Sequence, residues 1–201
     1  MTAPTRPTPP VQLTLSPGTG ALGGSNVRYE KFLPDLAGLY RDRSAYDRLV
    51  DGDDGRPVYW VESSQTEDGP GGLITGVSVL EPGRVGEEFF MTRGHLHAIS
   101  DRSELYVGLS GEGVMVLETV DGESQVVEVR PGQAVYVPGH WVHRSVNVGT
   151  ERFVTLFCYA ADAGQDYSII ERAGGMKSLV VARDGGWAAA DNPDHRGYRA
   201  D

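Results

Sequence analysis

His95 and His97 are separated by one residue in the stretch MTRGHLHAISDRSELYVG, and Glu104 follows His97 after six more. Alternate residues of a β-strand face the same way, so the two imidazoles share a side. Each neutral imidazole offers one nitrogen lone pair, and two on one face make half of a transition-metal site. Glu104, on the next strand beyond the loop AISDRS, adds a carboxylate oxygen. The third imidazole has two candidates in VPGHWVHRSVNVG, namely His140 and His143. Three histidines and one glutamate on the inner faces of a barrel hold a divalent ion and leave positions open for water or substrate. An ion held in that way stabilises negative charge on an oxygen of a bound molecule. The fifth histidine, His195, lies in the polar segment NPDHRGYRAD and reads as exposed and idle.

These residues need strands to carry them, and the chain supplies strands. From Val58 onward, runs such as VYWVESS, GGLITGVSVL, EEFFMTRGHLHAI, SELYVGLSG, GVMVLETV, QAVYVPG and RFVTLFCYA are short and rich in β-formers. They are separated by Gly, Pro, Asp or Ser, the pattern of an all-β sandwich or barrel. ETVDGESQVVEV holds an Asp-Gly turn between two strands, and SLVVARDGGWAAA predicts a second hairpin near the end of the chain. Upstream, Leu36, Leu39, Tyr40, Tyr46, Leu49 and Val50 recur at roughly helical spacing, predicting one or two short helices within Leu33–Val50. VQLTL alternates and predicts a short strand. Residues 1–10 read as a flexible tail and 11–201 as a single domain, with a core barrel over about 58–172.

With 201 residues the chain is long enough to bury a sizeable core. Eighteen basic residues against 28 acidic ones give a net charge of −10, which excludes nucleic acid as a bulk partner. The N-terminal residues have no apolar core of signal-peptide length, and no run is long enough to span a membrane. A cytoplasmic, soluble protein with no membrane partner is expected. The one cysteine, Cys158, excludes an intramolecular disulfide and is expected to be a buried structural thiol.

The order G-H-x-H-x6-E, then G-x-G, then P-G ahead of His143 and Asn147, resembles the two motifs of the cupins. Three stretches go further: PGRVGEEFFMTRGHLHAISDRSELYVGLSGEG, PGQAVYVPGHWVHRSVNVG and YAADAGQDYSIIERAG. They are similar to the archaeal-type, cupin-fold glucose-6-phosphate isomerases, over about Leu33 to Pro193. The resemblance implies an all-β cupin, a double-stranded β-helix or jelly-roll barrel, with a short N-terminal helical segment and a C-terminal hairpin. It implies His95, His97, Glu104 and His143 as ligands of one divalent ion (Fe2+, Mn2+, Zn2+ or Ni2+). It implies Glu104 and Tyr159 as catalytic residues. Thr92 and Gly94 fall where the family binds the substrate phosphate, and Ser78 stands where a threonine is usual. Tyr59, Tyr106 and Tyr167 take positions of the substrate pocket. There are two departures. Gln165 replaces a usual histidine, and His140 replaces a residue that is often tyrosine. The family is generally homodimeric.

The chemistry so implied is aldose–ketose interconversion of glucose 6-phosphate and fructose 6-phosphate, through a cis-enediol or a metal-assisted hydride shift. Glu104 can bind the ion and still act as base beside the C1–C2 bond. Backbone N–H groups around Thr92-Arg93-Gly94, the Thr92 hydroxyl and the Arg93 guanidinium suit a phosphate. Two other readings fit the same ligands: another metal-dependent cupin enzyme (a different sugar-phosphate isomerase or epimerase, or an oxygenase), and a non-catalytic sugar-phosphate binder. The phosphate-site set Thr92, Gly94 and Tyr167 separates the first reading from an oxygenase, which has no need of it.

Overall fold

The computed structural model describes residues 7–199. The expected tail over 1–10 therefore lies in part outside the described residues; 7–10 have no regular structure and are exposed. The elements run β1 (Thr14–Ser16), β2 (Ala21–Gly23), β3 (Val27–Phe32), a 3-10 turn (Leu33–Leu36), α1 (Arg43–Asp51), β4 (Pro57–Gln65), β5 (Leu73–Leu80), β6 (Arg84–Val85) and β7 (Glu88–Phe89). They continue with β8 (Glu104–Ser110), β9 (Gly113–Thr119), β10 (Ser124–Val129), β11 (Ala134–Val137), β12 (Trp141–Asn147), β13 (Phe153–Ala160), α2 (Ser168–Arg172), β14 (Ser178–Arg183) and β15 (Gly186–Asp191). The helical stretch expected within Leu33–Val50 is thus a 3-10 turn followed by one α-helix. Asp42 caps that helix by accepting from the Ala45 amide at 2.9 Å.

All the strand pairings are antiparallel. One wall is a six-stranded sheet in the order β11-β8-β13-β5-β4-β3. The opposite wall is built from β10-β9-β12 and from β15-β14-β7-β6. This is the all-β jelly-roll barrel of a cupin. The core follows from the two-residue period of the strands. Val114, Met115, Val116 and Leu117 of β9 are all buried because that strand is covered on both faces. Both expected hairpins form: Ser124 pairs Glu118 across the Asp-Gly turn, and Arg183 pairs Gly186 at the second. The second hairpin also extends a wall, through Val181 opposite Glu88.

The β1–β2 hairpin lies on the outer face of the large sheet. There Leu22 joins Val77, Val79 and Val154 in a separate buried cluster. Its seat is fixed by the Glu62 carboxylate, which accepts from the Leu22 amide at 2.9 Å.

The segment expected as one strand over Glu87–Ile99 is not regular. β7 ends at Phe89, and the chain then pairs with β12 through isolated bridges, Met91 to Val146 and His95 to His143, and not as a continuous ladder. Gly94, with φ +74°, is the cause. A left-handed residue breaks the pleat and turns the chain into the barrel.

Candidate metal centre and sugar-phosphate cavity

The four residues expected as ligands converge, and all are buried. Glu104 opens β8, His143 sits on β12, and the irregular 91–97 segment brings His95 and His97 between them. Backbone bonds in both directions between His95 and His143, at 3.1 and 2.9 Å, fix two of the ligands relative to each other. The ligand atoms of the four side chains lie within 4.8 Å of one another. Nε2 of His97 and Nε2 of His143 stand 3.1 and 3.0 Å from the same oxygen, Oε2 of Glu104, and Nε2 of His95 stands 3.9 Å from it.

The tautomers follow from the other ring nitrogens. Nδ1 of His97 faces the Arg102 carbonyl at 2.8 Å, and Nδ1 of His143 faces the Trp141 carbonyl at 3.0 Å. A carbonyl only accepts, so both Nδ1 atoms carry the proton. In the neutral rings the Nε2 lone pairs then point at a carboxylate oxygen, an arrangement of acceptors that needs a positive charge among them. Nε2 of His95 is buried with no partner at all among the described residues. Two ligands at right angles, each about 2.1 Å from one ion, are about 3.0 Å apart, which matches the His97 and His143 edges and leaves His95 farther out at 3.9 Å. The set therefore fits a divalent transition metal, with a carbonyl behind each of two imidazoles to hold its orientation.

Electrostatics follow the same geometry. Burial pushes the His95 imidazole well below its ordinary value, aided by its neighbours His143 and His97. Burial alone would raise the Glu104 carboxyl, but its contacts with His143 and His97 outweigh it and hold the group below its ordinary value; Nε2 donates to it only when an imidazole carries a second proton, in the place a bound cation would take. For His97, burial opposes the charged form, and the bonds to Glu104 and the Arg102 carbonyl outweigh it and raise the imidazole.

Above this cluster is a cavity lined by inward residues of β4, β5, β8 and β13 and by the 92–95 segment. Period-two alternation puts Tyr59, Val61, Ser63 and Gln65 of β4 on that face, with Ser78 of β5 beside them. Glu104 and Tyr106 come from β8, Tyr159 from β13, and Gln165 and Tyr167 from the loop before α2. Thr92, Arg93 and Gly94 close one side. Thr92 is tied to β12 twice: its amide donates to the Ser145 carbonyl at 2.9 Å, and its hydroxyl accepts from the Ser145 amide at 3.0 Å. Tyr167 donates to Gln165 Oε1, and the Arg93 guanidinium lies 5.4 Å from the Tyr167 ring centre. Burial raises the phenols, Tyr59 to about 12, and raises Tyr106, Tyr159 and Tyr167 as well. They remain O–H donors at neutral pH.

Three expectations are corrected. His140 does not join the site: it is exposed on a turn with φ +69°, its amide bound to the Ser100 carbonyl, and it does not line the cavity. The choice between His140 and His143 falls to His143 because that residue shares the inward face of β12 with Ser145. His195 is not idle, since its Nδ1 meets the Gly175 carbonyl at 2.8 Å and its ring packs on Tyr198. Cys158 is half-buried rather than buried, with the Thr75 hydroxyl 3.5 Å from its sulfur. The cavity also holds residues that sequence reasoning passed over: Tyr29, Ser63, Gln65 and Ser145. Strand alternation in SSQ carried a signal for Ser63 and Gln65, and Tyr29 needed the β3–β4 register.

The family model described as Glucose-6-phosphate isomerase (GPI) matches residues 30–196. The chain belongs to the glucose-6-phosphate isomerase family. It is similar to a putative glucose-6-phosphate isomerase 1 of Rhizobium meliloti, 46% identical over 89% of this chain and 84% of that one. It is also similar to the glucose-6-phosphate isomerases of Thermococcus kodakarensis and Pyrococcus furiosus, each 42% identical. Those matches cover 92% and 87% of this chain, and 95% and 91% of theirs. Among solved structures, an oxalate oxidase in complex with glycolate overlaps at TM-score 0.46 and 17% identity, over 56% of each chain. No helix among the described residues is long and apolar enough to cross a membrane.

Within this glucose-6-phosphate isomerase family member, the residues assigned to the sugar phosphate by resemblance, His140 apart, meet in one cavity above the histidine–glutamate cluster.

Proposed function

We propose that this chain interconverts glucose 6-phosphate and fructose 6-phosphate, with one divalent ion held by His95, His97, Glu104 and His143. The observation that carries the reading is the convergence of three imidazole nitrogens on Glu104 Oε2, at the floor of a hydroxyl-lined cavity with Arg93 at its side. Bound there, the ion supplies Lewis-acid stabilisation of negative charge on the sugar oxygens. Iron, manganese, zinc and nickel all suit a donor set of three imidazoles and one carboxylate.

The chain's own residues do the rest. Glu104, ionised, takes the proton from C2 of the open-chain aldose and gives it to C1 of the resulting cis-enediol, while the proton on O2 is passed to O1, which leaves the ketose. Tyr159, its phenol kept protonated by burial, donates to a sugar oxygen at the reacting end. Ser78, the Thr92 hydroxyl, the Gly94 amide and Arg93 receive the phosphate. Tyr59, Tyr106, Gln165 and Tyr167 hold the sugar hydroxyls between the two ends.

A phosphorylated hexose does not cross membranes unaided, which supports a cytoplasmic location for the enzyme. Residues 11–201 act as one cupin domain around this centre. The chain works as a homodimer; Leu105 and Tyr136, paired across β8 and β11 on the outer sheet face, are 40% and 64% exposed and offer an apolar contact.

The test is a coupled assay of fructose 6-phosphate conversion with metal-stripped protein, reloaded with iron, manganese, zinc or nickel. Turnover that follows the metal and disappears in Glu104→Ala supports the reading. Metal binding without turnover by any loaded form defeats it, and oxygen consumption would then identify the rival chemistry.

A further inference from the structure

We propose a second anion site, beside the sugar-phosphate cavity, in the cleft between the Asp35–Arg43 segment, α2 and the 192–196 segment. Its ligand is a phosphate-type dianion, either free phosphate or the phosphoryl group of a second metabolite.

The cleft has a volume of about 640 Å³. Five arginines line it: Arg41, Arg43, Arg93, Arg144 and Arg196. The carboxylates that line it are Asp35, Glu171 and Asp194. Arg41 is bound to Asp194 at 2.8 Å. The other four arginines have no carboxylate within 4.0 Å among the described residues, and they face two remaining acids. A local excess of cation in a chain of net charge −10 runs against the composition. Such an excess in a concave site focuses potential and draws anions.

The floor is built by Arg144, which is only 5% exposed. Its guanidinium donates to Met91 Sδ at 2.7 Å and to the Arg93 carbonyl at 2.9 Å, while Nε has no partner among the described residues. The acids nearest in charge are otherwise engaged. Glu118 accepts from the amides of Lys177 and Ser178 and from the Tyr198 hydroxyl. Glu88 accepts from the Arg41 amide with one oxygen only; its Oε2 is buried without a hydrogen-bond partner among the described residues and makes no ion pair with Arg144 within 4.0 Å. The Tyr40 hydroxyl, also buried, has no hydrogen-bond partner among the described residues and belongs to the same lining. A buried guanidinium with unused N–H groups calls for an acceptor.

The two cavities share Arg93 and Tyr167. An anion in the second cleft therefore competes for Arg93 with the phosphate of a bound sugar, so occupancy of one site is felt at the other.

The test is calorimetric titration of the full, metal-loaded chain with inorganic phosphate at low ionic strength, beside a variant carrying Arg43→Glu and Arg196→Glu. Neither substituted residue touches the metal cluster or the sugar-phosphate cavity. Two phosphates per wild-type chain and one per variant chain, with second-site affinity reduced tenfold or more, support the proposal. The same phosphate count in both proteins, with unchanged affinities, overturns it. The count needs no turnover, so it stands apart from the success or failure of the isomerase assay. Repeating the titration with glycerol 2-phosphate identifies the source: tighter second-site binding than inorganic phosphate assigns an organic ester, and weaker binding assigns free phosphate.

Discussion

Arg144 donates to the carbonyl oxygen of Arg93 across 2.9 Å, from the strand position next to the metal-site residue His143. β12 thus serves two sides at once: His143 and Ser145 face the cavity, and Arg144 reaches behind the Thr92-Arg93-Gly94 segment and ties it down. If that segment orients the sugar phosphate, Arg144→Met loosens ground-state binding. The expected result is a rise in KM for fructose 6-phosphate of about tenfold, the worth of roughly 1.4 kcal/mol, with a smaller change in kcat. Steady-state kinetics on metal-saturated protein separate the two parameters. An unchanged KM would show that the bond has no part in holding the segment.

Metal removal is expected to weaken the fold measurably. An ion present at a hundredfold excess over its dissociation constant adds about 2.7 kcal/mol, and for a domain near 200 residues each kcal/mol moves the melting temperature by about 2–4 °C. Reloading stripped protein with manganese should therefore raise the melting temperature by about 5–10 °C. In His95→Ala the rise should be largely lost, because one of the imidazoles is gone. Differential scanning calorimetry reads both. An equal rise in the variant would place the ion elsewhere.

Gly94 cannot be exchanged without cost. Its φ is +74°, and an added Cβ would lie 2.9 Å from Arg144 Cβ, from the His143 carbonyl oxygen and from Ile170 Cδ1. Two of those atoms are backbone or adjoin it and cannot swing away. Gly94→Ala is expected to cost about 2 kcal/mol or more and to displace His95 next to it. Chemical denaturation and metal content by elemental analysis are the measurements. Full stability with full metal content would show that the segment shifts freely.

Legibility in the sequence depended on how far each residue's role reaches along the chain. The strands and both hairpins could be read because alternation and Asp-Gly turns are local. His95, His97 and Glu104 could be read because all three fall within one short window. His143 competed with His140 until β12 was placed, since only the register with β9 and with His95 shows which position faces inward. Tyr29 belongs to an edge strand whose pairing partner begins 25 residues past its end, at Pro57, and nothing local says that it reaches the cavity. Nothing local in the sequence singles out Arg144. It is buried because α2 and the C-terminal segment, up to 52 residues further along the chain, cover that side.

The acid limb of stability should depend on Asp162. Its carboxylate accepts from Nε and a terminal nitrogen of Arg102 at 2.9 and 2.8 Å, and these bonds hold its pKa below the ordinary aspartate value. A carboxyl whose folded pKa is depressed stabilises the fold above the unfolded value of about 3.9. That contribution disappears as pH falls through the lower folded value. The pair anchors the loop whose Arg102 carbonyl sets the His97 tautomer at 2.8 Å. Asp162→Asn should therefore be less stable than the parent at neutral pH and bind metal several-fold more weakly, since groups that orient a ligand are worth about tenfold or more. The stability difference should shrink once the pH is taken below about 4. Urea unfolding of both proteins at several pH values, with a metal titration at pH 7, tests this. A gap that stays constant into acid would show that the ion pair contributes through shape and not through charge.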